Sequence, residues 1–208
     1  MFWEVLVGFD PAVLASFVLA GLVLNITPGV DFAYVASSGI SGGPRLGMAA
    51  ACGINIGVLI HILMAAGGIS ALLIAYPSAY QAIKLLGAAW LVWLAYKAWT
   101  STSAATENEV PISFRGAVVR GFLTNVLNPK TSLFIFAFIP QFTDPALGPV
   151  GLQILVLGLI FLVNGFAFSL TLGASAGWLG AHLHAARGML NKLTAIVFGG
   201  LAARLILD

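Results

Sequence analysis

The sequence predicts an all-α integral membrane protein whose six transmembrane helices form two inverted three-helix repeats. Three observations predict it. Of 208 residues, 60% are hydrophobic and only 8% are charged, with a mean hydropathy of +1.03, whereas soluble domains carry about a quarter charged residues. Six stretches approach or exceed the ~20 apolar residues that a spanning helix needs: roughly 11–40, 46–75, 77–99, 115–141, 148–179 and 189–207. The first three stretches also answer the last three in sequence, which divides the chain into a repeat over 1–99, a polar cytoplasmic linker over 100–113 and a second repeat over 114–208.

The opening decapeptide "MFWEVLVGFD" has Glu4 and no Lys or Arg. It lacks the positive n-region of a cleaved signal peptide and is read as retained. The first span begins at Asp10-Pro11, an N-cap followed by a first-turn proline. Pro44, Pro77 and Pro149 stand at or just before the starts of later spans. The linker "TSTSAATENEVPIS", Thr100 to Ser113, is too short and polar for a domain. Between the halves, "LNITPGVDF" answers "TNVLNPKTSLF", "GINIG" answers "LVNG", and "KLLGAAWLVWLA" answers "KLTAIVFGGLAA". Three spans per half is an odd number, so the second half enters the membrane with opposite orientation, as in many secondary transporters.

Loop charges orient the chain. Arg45, Lys97, Arg115, Arg120, Arg187 and Lys192 collect on one side, against Lys84 and Arg204 on the other. Both termini are therefore expected outside and the linker in the cytoplasm, with Trp99 and Trp178 at the inner interface and Trp3 at the outer one. A net charge of +2 gives no reason to expect nucleic acid, and a single cysteine, Cys52, excludes an internal disulfide or a Cys-x-x-Cys centre.

The chemistry is expected where the helices break. Pro28 removes a backbone hydrogen bond and Gly29 loosens the chain, so the first span should split into two half-helices. The first ends near Asn25; Thr27 is read as the N-cap of the second, Pro28 as its first residue, and Asp31 falls in its first turn. A carboxylate there is either a cap favoured by the helix dipole or a ligand for an ion or a substrate amine. The fourth span repeats the device: Asn128 caps, Pro129 takes the first position and Lys130 follows. A cation at a helix N-terminus is disfavoured. Lys130 is thus expected either to pair with Asp31 or to meet a substrate carboxylate beside freed backbone N–H groups.

His61 is either a packed, hydrogen-bonded residue or a proton-relay partner of Asp31. Asn55 and Asn164, at matching points of the two halves, either bond across helices or line the cavity. Gly53 and Gly57 make a close-packing face, and Gln141 an interfacial residue. His182 and His184 form His-x-His without carboxylate or thiol support, so no metal site is expected.

"NITPGVDFAYVASSGISGGPRLGMAAACGINIG", "GFLTNVLNPKTSLFIFAFIPQF" and "KLLGAAWLVWLAYKAW" resemble the LysE/RhtB family of amino-acid exporters over most of the chain. Val30 stands where that family has a second proline. The resemblance implies six spans, a bacterial inner-membrane location, and efflux of amino acids or derivatives by a transporter, not an enzyme, with no bound cofactor.

One acid and one base at paired breaks match an ammonium and a carboxylate without surplus charge. The leading expectation is a proton-coupled exporter of neutral, zwitterionic substrates. Its substrate-binding residues would be Asp31, Lys130, Asn128, Asn25, Thr27 and Asn55, with proton coupling through Asp31 and His61. The expected partners are the substrate, protons and membrane lipid, with a second copy of the chain as a candidate. The alternative is a cation or heavy-metal exporter of the same broad superfamily, against which the lone cysteine and lone embedded carboxylate count. A thiol–disulfide electron carrier needs two thiols. A non-transporting membrane subunit remains as the residual reading.

Overall fold

The computed structural model describes residues 2–69, 79–100 and 113–207. Pro77 and all of the expected linker except Thr100 and Ser113 lie outside the described residues, as do the side chains of Trp3, Trp178, His182 and His184.

Every regular element among the described residues is helical. They are α1 (Phe2–Gly8), α2 (Pro11–Ile26), α3 (Val30–Met64), α4 (Ala79–Thr100), α5 (Phe114–Val126), α6 (Pro129–Leu133) and α7 (Val150–Leu207). A π-helical turn over Ala65–Ile69 extends α3, and α6 runs on through a π-helical turn at Phe134–Phe138 into a 3-10 turn at Ile139–Phe142. A second 3-10 turn spans Pro145–Leu147. The starts follow local chemistry. Asp10 caps α2, its carboxylate accepting from Ala12 N at 2.7 Å with Pro11 in the first position. Ser113 caps α5 through Gly116 N at 3.1 Å. The short α1 was not expected; it buries Val5 beside Phe9.

By length and composition, two continuous helical runs can cross a membrane, Val30–Gly68 and Val150–Ala176. A third candidate is the pair Phe114–Val126 and Pro129–Phe142, bent by 52°. Six such runs are not found among the described residues, and α2, at 16 residues, is cut short by the break after it.

Two of the helices double back. Inside α3, Gly43 has φ 74° and ψ 176°, a backbone conformation open essentially to glycine alone. On either side of it, Gly39 and Gly47 both pack on the carbonyl of Gly173. A straight helix would hold those two about 12 Å apart on its axis. The arms therefore turn back on each other at Gly43-Pro44, where the sequence ends one span and begins the next.

α7 keeps helical bonding from Val150 to Leu207, through the expected junction near 180–188. Yet Gly165 packs on Asn25 while Thr194 bonds Thr27. In a straight helix residues 165 and 194 would lie about 44 Å apart, so the chain also reverses between them.

The core sits against the breaks. Phe17, Phe134, Phe138 and Phe161 are almost wholly buried, and their rings stack in a connected series, with Phe134 4.7 Å from Phe138 and 4.9 Å from Phe161. The second arm of α3 packs backbone-to-backbone on α5: a Cβ on Gly53 would collide with the main chain of Val118 and Phe122, and one on Gly121 with Ala50. Gly53 and Gly57 thus do form the close-packing face their spacing suggests.

Candidate functional site

The two broken helices meet at a small cavity of about 60 Å³. Asn25, Thr27, Asp31, Asn55, Asn128 and Lys130 are among its polar lining residues. Phe32, Val35, Ile54, Val58, Phe161 and Phe168 form its apolar wall.

The first break differs from expectation in its caps. Thr27 does not start the second half-helix; it ends the first, with φ −62° and ψ 122°. The residue before a proline is pushed out of the helical region, and the Thr27 hydroxyl turns back to Val23 O at 2.5 Å and meets Thr194 Oγ1 at 2.6 Å. Gly29 takes the N-cap place without a side-chain bond, and α3 begins at Val30. Asp31 still lies in the first turn. At the second break the expected arrangement holds: Asn128 Oδ1 accepts from Lys130 N at 3.0 Å, and Pro129 opens α6.

Asp31 and Lys130 share the cavity but do not pair. Among the described residues no ion pair within 4 Å joins them, so of the two expected roles for Lys130 the direct pair with Asp31 is not formed. Each reaches into the other half instead. Asp31 Oδ2 accepts from Asn125 Nδ2 at 2.7 Å and from Thr131 Oγ1 at 3.1 Å. Its other oxygen, Oδ1, is buried without a hydrogen-bond partner. Lys130 Nζ donates to Leu24 O and Thr27 O, each at 3.0 Å. These carbonyls belong to the C-terminal end of α2, where the dipole welcomes a cation. That resolves the misfit of a lysine in a first turn: its charge lies at the end of a different helix.

Asn55 bonds across helices to Ser169 Oγ at 2.9 Å, and not to Asn164, while also donating to Ala51 O. Asn25 faces Gly165, and its Nδ2 is buried without a partner. His61 is 5% exposed and lies outside the cavity lining. Its Nε2 stands 3.4 Å from Asn125 O, and its ring packs edge-on against Phe136. Asn125 lies between it and Asp31, touching His61 with its backbone carbonyl and Asp31 with its side-chain amide. Gln141 bonds its own helix at Ala137 O.

Sequence reasoning missed Asn125, Thr131 and Ser169. The first two stand within the quoted "TNVLNPKT", and a carboxylate isolated in apolar sequence was a signal to seek donors near the partner break. Gly57 gives Asn125 its room, since a Cβ there would stand 2.6 Å from Asn125 Oδ1.

Known proteins offer a consistent comparison. A family model described as LysE type translocator matches residues 22–208. An uncharacterized membrane protein of Vibrio cholerae is 32% identical over 195 residues, covering 92% of this chain and 95% of its own. The leucine efflux protein of Salmonella typhimurium is 27% identical over 198 residues, 91% of this chain and 92% of its own. That of Klebsiella pneumoniae is 26% identical over 196 residues, with 91% and 92% covered. No solved structure matches.

Proposed function

The chain belongs to the LysE type translocator family, and from that premise we propose that it exports a neutral, zwitterionic amino acid or close derivative from the cytoplasm by proton antiport. It is a membrane transporter, not an enzyme. The observation that carries the finer reading is Asp31: one carboxylate oxygen is held by Asn125 and Thr131, while the other is buried and unpartnered beside the cavity. An unpartnered buried acceptor is costly. A substrate ammonium or a proton would satisfy it, and the two cannot occupy it together. That exclusion is the basis of antiport.

The substrate carboxylate is met by Asn25 Nδ2, also unpartnered, and by the N–H of Lys130 that its two carbonyl bonds leave over. Asn128 and Thr27 set the two breaks, and Asn55, bonded to Ser169, adds polar lining. The apolar wall suits an aliphatic side chain, in keeping with relatives named for leucine efflux. His61, packed against the backbone of Asn125, is the second proton-coupling residue of this reading. A cation or heavy-metal exporter remains the second reading; Asp31 as the lone carboxylate among the described residues lining the cavity speaks against it. Efflux from proteoliposomes preloaded with amino acids and metal ions tests the choice. Neutral aliphatic amino acids should leave fastest, accelerated by an inward proton gradient. Efflux confined to metal ions overturns the proposal.

The architecture that goes with this reading is six spans in two inverted repeats in a bacterial inner membrane, termini outside, with a homodimer as a candidate assembly. The reversals at Gly43 and within α7 support it. In a Cys52→Ser background, Thr106→Cys should react with a membrane-impermeant thiol reagent only from the cytoplasmic side. Labelling from outside alone reverses the orientation.

A further inference from the structure

We propose that Lys130 is a tethered cation that serves, from the second half of the chain, the carbonyls that Pro28 leaves unbonded in the first, and that it thereby positions Asp31. In an α-helix the carbonyl of residue 24 receives the N–H of residue 28. Pro28 has no N–H, and by forcing Thr27 into an extended conformation it leaves the Thr27 carbonyl outside the helix as well. The two oxygens, Leu24 O and Thr27 O, converge on Lys130 Nζ at 3.0 Å each. Carbonyls at the C-terminal end of an unwound half-helix form the kind of seat that takes a coupling cation in broken-helix transporters. Here the chain's own ammonium sits in it.

Two further observations carry the same logic. Gly29 lies beside the path of the lysine: a Cβ there would stand 3.4 Å from Nζ and 3.5 Å from Cδ. The glycine of "TPG" and the lysine of "NPK" therefore fit each other through space. The second break shows a looser version of the same arrangement. Pro129 withholds an N–H from Asn125 O; Asn128 N of its own half meets that oxygen at 2.9 Å, and His61 Nε2 of the first half stands 3.4 Å from it. Because Asp31 follows Gly29 by two residues, a break held by Lys130 holds Asp31 in place, and Lys130 is a positioning residue whatever the substrate.

The test uses the whole protein and needs no substrate in its first arm, so it can fail while the export reading stands, and the reverse. Lys130→Ala, purified in detergent, should unfold at a temperature lower by about 5 °C or more, from two charge-assisted bonds lost. Methylammonium chloride should recover at least half of that drop. Tetramethylammonium chloride, a cation with no N–H, should recover none of it, and neither salt should move the wild type. In proteoliposomes, methylammonium should likewise restore efflux by Lys130→Ala, which a residue that merely fills space would not permit. A variant as stable as wild type, or one responding equally to both salts, overturns the proposal. If Lys130→Ala yields no folded protein, Pro28→Ala/Lys130→Ala returns an N–H to the neighbourhood of Leu24 O and should be recovered folded. A double variant no better than the single one also overturns it.

Discussion

Asp31→Asn is expected to cut efflux driven by a proton gradient by roughly a hundredfold, on the order of 3 kcal/mol for a charged hydrogen bond lost in a buried site, while the protein still folds. The amide keeps an oxygen for Asn125 and Thr131, the two donors that hold Oδ2. It places an NH₂ where Oδ1 now lies buried and unpartnered. That group neither accepts a proton near neutrality nor receives an ammonium, so the exchange on which the proposed antiport depends is lost. Stability should change little, because the cross-half bonds survive. The measurement is the initial rate of amino-acid efflux from proteoliposomes with and without the gradient, beside a thermal unfolding curve. Gradient-driven efflux at the wild-type rate would leave Asp31 as a strut between the two breaks.

Gly173→Val should prevent recovery of folded protein. A Cβ at residue 173 would stand 2.5 Å from Gly47 C and O and 3.0 Å from Met48 N. Those are backbone atoms, unable to swing aside as a side-chain tip would. The only relief is to pull α7 away from the Gly43 hairpin, which also carries Gly39 against the same carbonyl. Overpacking a close interior costs about 1–3 kcal/mol even where side chains give way, and here the main chain must move, so the cost should exceed that range. Gly199→Ala is the control. Nothing lies within 4 Å of its added Cβ, and Gly to Ala inside a helix gains roughly 0.5–1 kcal/mol. Detergent-solubilised yield and monodispersity on size exclusion separate the two outcomes. Folded, monodisperse Gly173→Val at wild-type yield would contradict the close contact between the helices.

The sequence by itself determined what depends on a residue and its chain neighbours. Composition places the chain in a membrane because hydropathy is additive along it. Pro28 and Pro129 break helices wherever they stand, since a missing N–H and a restrained preceding residue are covalent facts. Asp10 and Asn128 cap because their partners lie two residues away. Gly43-Pro44 ends one arm and begins the next for the same local reason. Asp31 and Lys130 were legible as candidates for a site because a charge amid apolar residues is costly without a purpose.

Only the tertiary structure decided who answers those local deficits. The Leu24 carbonyl left bare by Pro28 finds its donor 106 residues away in Lys130, and Asp31 finds Asn125 and Thr131 at separations of 94 and 100. An ion pair of acid and base was one of two readings that charge alone left open. It is not formed because helix-end carbonyls take the ammonium, and neutral amides and hydroxyls the carboxylate. The role of Gly173 was hidden likewise, for a glycine's lack of a Cβ matters only where another helix comes to lie against it. Such pairings are settled by how α3, α5 and α7 pack, and a bond across a hundred residues has no local signature.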